Sequence, residues 1–177
     1  MNMKPVFSLM ATSALLSSCV TSPLPMDRSV ASGELRAPDG RALGTVRVAR
    51  QGNSLNLTLQ ASGLSAGPHG AHIHAVGKCD DAAFAMAGGH LNPAQRQHGT
   101  HNPAGSHLGD LPNLVVASDG TGRMEAILSD AADETLAALF DGDGASVVVH
   151  AGEDDYRTDP SGNSGARIAC GVLRLVP

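Results

Sequence analysis

Leu55-Asn56-Leu57-Thr58-Leu59 alternates apolar and polar residues with period two, the spacing of a strand that buries one face. Residues 42–49 alternate in the same way through Leu43, Thr45-Val46 and Val48. Gln51-Gly52-Asn53 between the two segments is a turn signal, so they read as a hairpin. Further strand candidates are Ala71-His72-Ile73-His74, Leu114-Val115-Val116, Met124 to Leu128, Ser146-Val147-Val148-Val149-His150 and Ile168 to Val176, with Asp119-Gly120 as a turn. Ala131 to Phe140 has room for one or two helical turns. Two polar stretches are Gly77 to Pro112 and Gly152 to Gly165; the first carries no clear period, and a segment that long in a compact domain is usually functional or disordered, its His and Cys content arguing for function. Short strands with two long loops predict an all-β chain, an antiparallel sandwich or barrel. With aromatics at 2% and no Trp, its core must be built from Val, Leu, Ile and Ala.

The first residues read as a targeting signal: Lys4, then an apolar run from Val6 to Ala11 and Ala14-Leu15-Leu16, too short to span a bilayer. Leu16-Ser17-Ser18-Cys19 resembles the lipobox of bacterial lipoprotein signals, in which the Cys is lipidated and becomes the mature N-terminus. An ordinary signal peptide with a chance Cys is the alternative. The resemblance implies a signal peptide over 1–18, lipidated Cys19 and a Pro- and Ser-containing tether over 19–32, and a folded domain over 33–177. It implies the periplasmic side of a bacterial envelope. Val20 after Cys19 is not the Asp associated with inner-membrane retention, which favours the outer membrane. No other segment is long and apolar enough to span a membrane, so the lipid anchor is the expected membrane link. A formal charge of -5 argues against a nucleic-acid partner. Three cysteines are an odd count for an exported chain. With Cys19 lipidated, Cys79 and Cys170 remain to pair in an oxidising compartment, two free buried thiols being the alternative.

The eight histidines are clustered. His72 and His74 are two apart, so on a strand both imidazoles point to one face and reach one ion. His150 ends the Val-rich strand and approaches from elsewhere in the sheet. His90, His98, His107 and Asp110 lie in the first long loop. Neutral imidazole suits copper and zinc, and a carboxylate is acceptable to zinc. A lone His is usually a surface or satisfied core residue; seven ligand-type residues in this arrangement point to a shared two-metal site.

Several segments resemble motifs of the copper–zinc superoxide dismutase family, in the family's order. They are Gly70-Ala71-His72-Ile73-His74, Gly89-His90-Leu91-Asn92-Pro93, His98-Gly99, His107-Leu108-Gly109-Asp110-Leu111, Val148-Val149-His150 and residues 162–172. The resemblance covers essentially residues 33 to 177. It implies a Greek-key antiparallel β-sandwich or flattened eight-stranded barrel with two long functional loops. It implies dismutation of superoxide to oxygen and hydrogen peroxide at a redox-cycling copper beside a structural zinc, one of each per subunit. By motif, His72, His74, His90 and His150 are the copper ligands, and His90, His98, His107 and Asp110 the zinc ligands. His90 bridges the ions and takes a proton in turnover. Asp154 resembles the family carboxylate that hydrogen-bonds ligands of both metals. Arg167 matches the arginine that guides the anionic substrate, and Cys79 and Cys170 fall at the disulfide positions.

His69 and His101 match no ligand position and read as loop residues. Lys78, Arg123 and Arg157 are candidates for electrostatic steering. Subunit contacts differ among family members, so a homodimer is one of the states the resemblance allows. A non-catalytic metal-binding or structural lipoprotein of the same fold is the alternative; it would be expected to lack a copper ligand or the arginine. A hydrolytic zinc site would need an open coordination position, which a zinc set of four ligands does not leave.

Overall fold

A computed structural model describes Met1 and residues 28–177. The chain forms β1 (Arg28–Arg36), β2 (Ala42–Gln51), β3 (Ser54–Ala61), β4 (Gly67–His69), β5 (Ala71–His74), β6 (Leu114–Val116), β7 (Gly122–Ser129), helix α1 (Ala132–Leu139), β8 (Ser146–His150), β9 (Arg167–Val172) and β10 (Arg174–Leu175). All strand pairs are antiparallel. They form one sheet in the order β4-β6-β7-β3-β2-β1-β9-β8-β5, with β10 beside β1.

That order begins and ends on the same stretch of chain. β4 and β5 are separated only by Gly70, yet β4 pairs with β6 and β5 pairs with β8. The sheet therefore curls into a nearly closed barrel. Gly70 is required at the junction, because a Cβ there would stand 2.7 Å from that of Ser164. Leu173 divides β9 from β10 in a similar way, its amide donating to the Ala145 carbonyl at 3.0 Å. Counted through these two breaks, the ten segments make an eight-stranded barrel. After β3 the chain crosses to β4, and β6 beside β4 and then β7 beside β6 lead back to β3, with which β7 pairs, a Greek key.

The expected hairpin is β2–β3, with Val46 opposite Leu59 and Val48 opposite Leu57. Leu55, Leu57 and Leu59 are fully buried, as the alternation requires. Burial of each stabilises the fold by about 1.5–3 kcal/mol. β5 and β8 are buried along their whole length. Ala71, Ile73, Val147 and Val149 face the core, and the other face is covered by the long loops.

Three elements differ from the sequence reading. β1 starts at Arg28, inside the segment read as tether, and Ala31 is completely buried opposite Val48. Its Ser-Val-Ala-Ser run has too few large apolar residues to signal a strand without its partner. β4 contains Pro68, which disfavours a strand assignment from sequence; paired with β6 alone on that side, it tolerates the missing donor. The last strand is broken at Leu173. The signal segment, Cys19 and most of the tether lie outside the described residues. Among the described residues, no helix is long and apolar enough to cross a membrane.

Candidate metal centre

The outer face of β5 is where the two long loops converge. Backbone segments of the first loop pair with this strand: Ile73 N–H donates to Gly109 O at 2.8 Å, Leu91 N–H to Ile73 O at 2.8 Å, and Ala75 N–H to Gly89 O at 2.9 Å. These contacts bring His90 beside His74 and Asp110 beside His72. His150 arrives from β8, at a bulge that sets it opposite Arg167 of β9.

Two clusters result. His72, His74, His90 and His150 form one, and His90, His98, His107 and Asp110 the other, with one ligand-type atom of each residue within 4.8 Å of the rest of its set. In the first cluster, four buried ring nitrogens have no hydrogen-bond partner: His72 Nδ1, His74 Nε2, His90 Nε2 and His150 Nε2. The opposite nitrogens are all engaged. His72 Nε2 lies 2.8 Å from Asp154 Oδ2, His74 Nδ1 2.9 Å from Gly88 O, and His150 Nδ1 3.0 Å from Gly165 O. Each carbonyl or carboxylate holds the proton on its own side and leaves a lone pair on the other. An unsatisfied buried polar atom costs about 1–3 kcal/mol, so four in one place mark a site whose ligand is a Lewis acid.

The second cluster gathers around Asp110 Oδ1. His90 Nδ1, His98 Nδ1 and His107 Nδ1 lie 2.9, 3.0 and 3.1 Å from it, and His107 Nδ1 is 3.3 Å from His90 Nδ1. Zinc–nitrogen bonds of about 2.0–2.1 Å place the corners of a tetrahedron roughly 3.3 Å apart, close to these separations. The other Asp110 oxygen accepts from the amides of Gly99 and His107 at 2.8 and 3.0 Å. His90 belongs to both sets through different nitrogens. Asp154 joins them from behind, Oδ2 on His72 and Oδ1 on His98 Nε2 at 3.0 Å.

The electrostatics favour metal over protons. Burial pushes His72 down to about 4 and His74 to about 2, against 6.5 ordinarily, and lowers His90 and His150 as well. Burial alone would raise Asp110 and Asp154. For Asp110 it is outweighed by His90 and the amides of Gly99 and His107, and for Asp154 by His72, His98 and the Tyr156 amide, so both carboxylates lie below the usual range. Neutral imidazoles and ionised carboxylates at neutral pH are the ligand forms a divalent cation needs.

A profile described as copper/zinc superoxide dismutase matches residues 42–173. The chain belongs to the copper/zinc superoxide dismutase family. It is 40% identical over 148 residues to a superoxide dismutase [Cu-Zn] of Caulobacter vibrioides, spanning 81% of this chain and 85% of the relative. It is 34% identical to that of Deinococcus radiodurans, spanning 97% and 96%. Among solved structures, a SOD-like protein from Bacillus subtilis superposes with a TM-score of 0.72 at 35% identity, covering 81% of this chain and 97% of that one. The Cu/Zn superoxide dismutase from Brucella abortus gives 0.61 at 29% identity, covering 81% and 98%.

In this superoxide dismutase-family chain, Arg167 is half-buried at the rim of the four-histidine cluster. Its Nη1 donates to Phe84 O at 2.6 Å and its Nη2 to Gly88 O at 2.7 Å. Gly88 O also receives His74 Nδ1, so one carbonyl orients both an imidazole and the guanidinium. Cys79 and Cys170 form a disulfide that fastens this loop to β9.

Sequence reasoning missed three contributors. His69 is not a loop residue: it lies in β4, is 2% exposed, and places Nδ1 2.7 Å from His150 O. Only its packing distinguishes it. Asn113 brackets Asp154, accepting from its amide at 2.9 Å and donating to its carbonyl at 2.9 Å. Gly162 adopts φ +62, and a Cβ there would lie 1.7 Å from Asp154 Oδ1. His101 is exposed with its ring edge on Tyr156, and Arg123 pairs with Glu125 on the outer face of β7.

Proposed function

We propose that this chain dismutates superoxide to oxygen and hydrogen peroxide. In this reading copper is held by His72 Nδ1, His74 Nε2, His90 Nε2 and His150 Nε2. Zinc is held by His90 Nδ1, His98 Nδ1, His107 Nδ1 and Asp110 Oδ1, one ion of each kind per subunit. The observation that carries it is the set of four partnerless buried nitrogens around one point. Copper, when bound, supplies one-electron redox chemistry, and four nitrogens suit it; a closed three-nitrogen, one-carboxylate set suits structural zinc.

The protein's own groups have separable tasks. Asp154, Gly88 O and Gly165 O fix the tautomer of each imidazole. His90 Nε2 is where this ring can hold a proton while Nδ1 stays on the Asp110 side. The Arg167 guanidinium remains cationic and offers donors to a small anion. All four copper-site histidines and Arg167 are in place, which leaves the non-catalytic alternative without support.

The setting belongs to the same proposal: a signal peptide over 1–18, lipid on Cys19 and the periplasmic side of the outer membrane. The Leu16–Cys19 motif supports the anchor, and a disulfide is at home in an oxidising compartment. Failure of Cys19→Ser to change fatty-acid labelling in a bacterial host would remove the anchor.

The activity is tested on copper- and zinc-loaded protein from residue 20 onward. Cyanide-sensitive superoxide removal is expected, and His150→Ala should lose it while keeping zinc. Full metal loading without superoxide removal would overturn the function; joint loss of zinc and fold in His150→Ala would overturn the ligand partition.

A further inference from the structure

We propose that Asp81 is a positioning residue for Arg167, acting through the turn that presents two carbonyls to the guanidinium. The inference rests on the reading of Arg167 as the anion-holding group.

The Asp81 carboxylate gathers the amides of its own loop. Oδ1 accepts from Ala83 at 3.0 Å and Ala85 at 2.9 Å, and Oδ2 from Met86 at 2.8 Å. Its backbone carbonyl accepts from Phe84 at 2.9 Å. Four bonds from one residue thus wind residues 81–86 into a single turn that runs into the 3₁₀ segment Ala85–Ala87. The amides turn to Asp81, while Phe84 O accepts from the Ala87 amide at 3.2 Å and keeps its second lone pair for a further donor.

Phe84 O inside this turn and Gly88 O just beyond it receive Arg167. Phe84 has a left-handed backbone, φ +53, with its ring 2% exposed against Val148 and Cys170. A bulky residue pays for that conformation, and the surroundings must enforce it. The Asp81 bonds on either side of Phe84 do so, and its carbonyl meets Arg167 Nη1. Gly88, closing the same segment through its amide on Ala85 O at 3.0 Å, supplies the second carbonyl to Nη2. The disulfide at Cys79 fixes where the loop starts, but its cross-link does not orient the carbonyls at 84 and 88. The Asp81 charge also supports the Arg167 cation against partial burial.

Position and charge make opposite predictions. A carboxylate acting only as a charge near Arg167 would repel an anion, so its removal would tighten anion binding. A carboxylate acting as the organiser of the turn would loosen anion binding when its oxygens are displaced. The test titrates azide into the copper- and zinc-loaded full-length protein, read by the visible spectrum of the copper ion, alongside superoxide removal.

Asp81→Ala and Asp81→Glu are expected to weaken azide roughly five- to tenfold, the scale of one ordinary hydrogen bond. Glu keeps the charge but carries it one methylene too far to cap the same amides. Asp81→Asn loses the charge and the bond from the Met86 amide but keeps one oxygen for the Ala83 and Ala85 amides, so it should stay within about twofold of wild type, as Asn is an effective cap. In an Arg167→Ala background, Asp81→Ala should add nothing, because both substitutions act on one contact. Tighter or unchanged azide binding in Asp81→Ala and Asp81→Glu overturns the proposal, as does an equal loss in both backgrounds. If wild type removes no superoxide, the proposed function falls, while the azide titration still decides the role of Asp81.

Discussion

Each histidine of the centre has two nitrogens with different duties, and the protein enforces the division with oxygen atoms. Carbonyls at Gly88 and Gly165 and the carboxylate of Asp154 occupy one side of His74, His150 and His72. What remains is a lone pair aimed inward. The weak point of this scheme is Gly162, whose open left-handed backbone makes room for Asp154. Gly162→Ala should displace the carboxylate and lower retention of both metals, because Asp154 touches one ligand from each set. Stability should fall by about 1–3 kcal/mol from backbone strain alone. Elemental analysis after dialysis against a chelator checks the first claim and urea unfolding the second; wild-type retention of both metals would disprove the link through Asp154.

At the scale of elements, the loops matter more than the strands. The loop from Gly77 to Pro112 is threaded along β5 by backbone bonds and stapled to β9 by Cys79–Cys170, whose sequence separation is 91 residues. Closing a loop of that length is worth up to about 4–5 kcal/mol in the chain-entropy account. Replacing both cysteines by serine should therefore lower the urea midpoint substantially and reduce superoxide removal more than zinc content, since the staple lies beside Arg167. Equal losses of zinc and activity would argue that the bridge supports the whole centre. Period-two alternation was enough to reach β2 and β3, and motif order to reach β5, β8, the disulfide cysteines and the residues of both clusters. Arg28–Ser32, Pro68 and His69 were not legible, because their pattern is weak and their roles arise from partners distant in sequence. Nor could any motif reveal the Phe84 and Gly88 carbonyls, which every residue possesses and only the fold turns toward Arg167.

For the whole molecule, proton binding and metal binding oppose one another. In the metal-free protein His72 and His74 have folded values of about 4 and about 2, below the 6.5 of an unfolded histidine. Between these values the unfolded chain binds more protons, so stability rises with pH and is lost as pH falls from 6.5 toward 4. Asp110 and Asp154, held low, lose their contribution as pH falls further below 3.8, in the same direction. The urea midpoint of metal-free protein should be clearly lower at pH 5 than at pH 7.5; an equal or higher midpoint at pH 5 would contradict the buried, neutral histidines.

The barrel closes on a single stretch of chain, and half of that closure is made by loops rather than by a strand. β5 has β8 on one side, while its other side is covered by segments around His90 and Asp110. Stripping the metals and reducing the disulfide releases that cover together. The chain would then expose unpaired amides and carbonyls along β5, a template for joining other copies edge to edge. Light scattering of metal-free, reduced protein at neutral pH should grow with time and concentration, and the loaded, oxidised protein should stay clear. On that outcome the metal centre also serves as a guard against self-association.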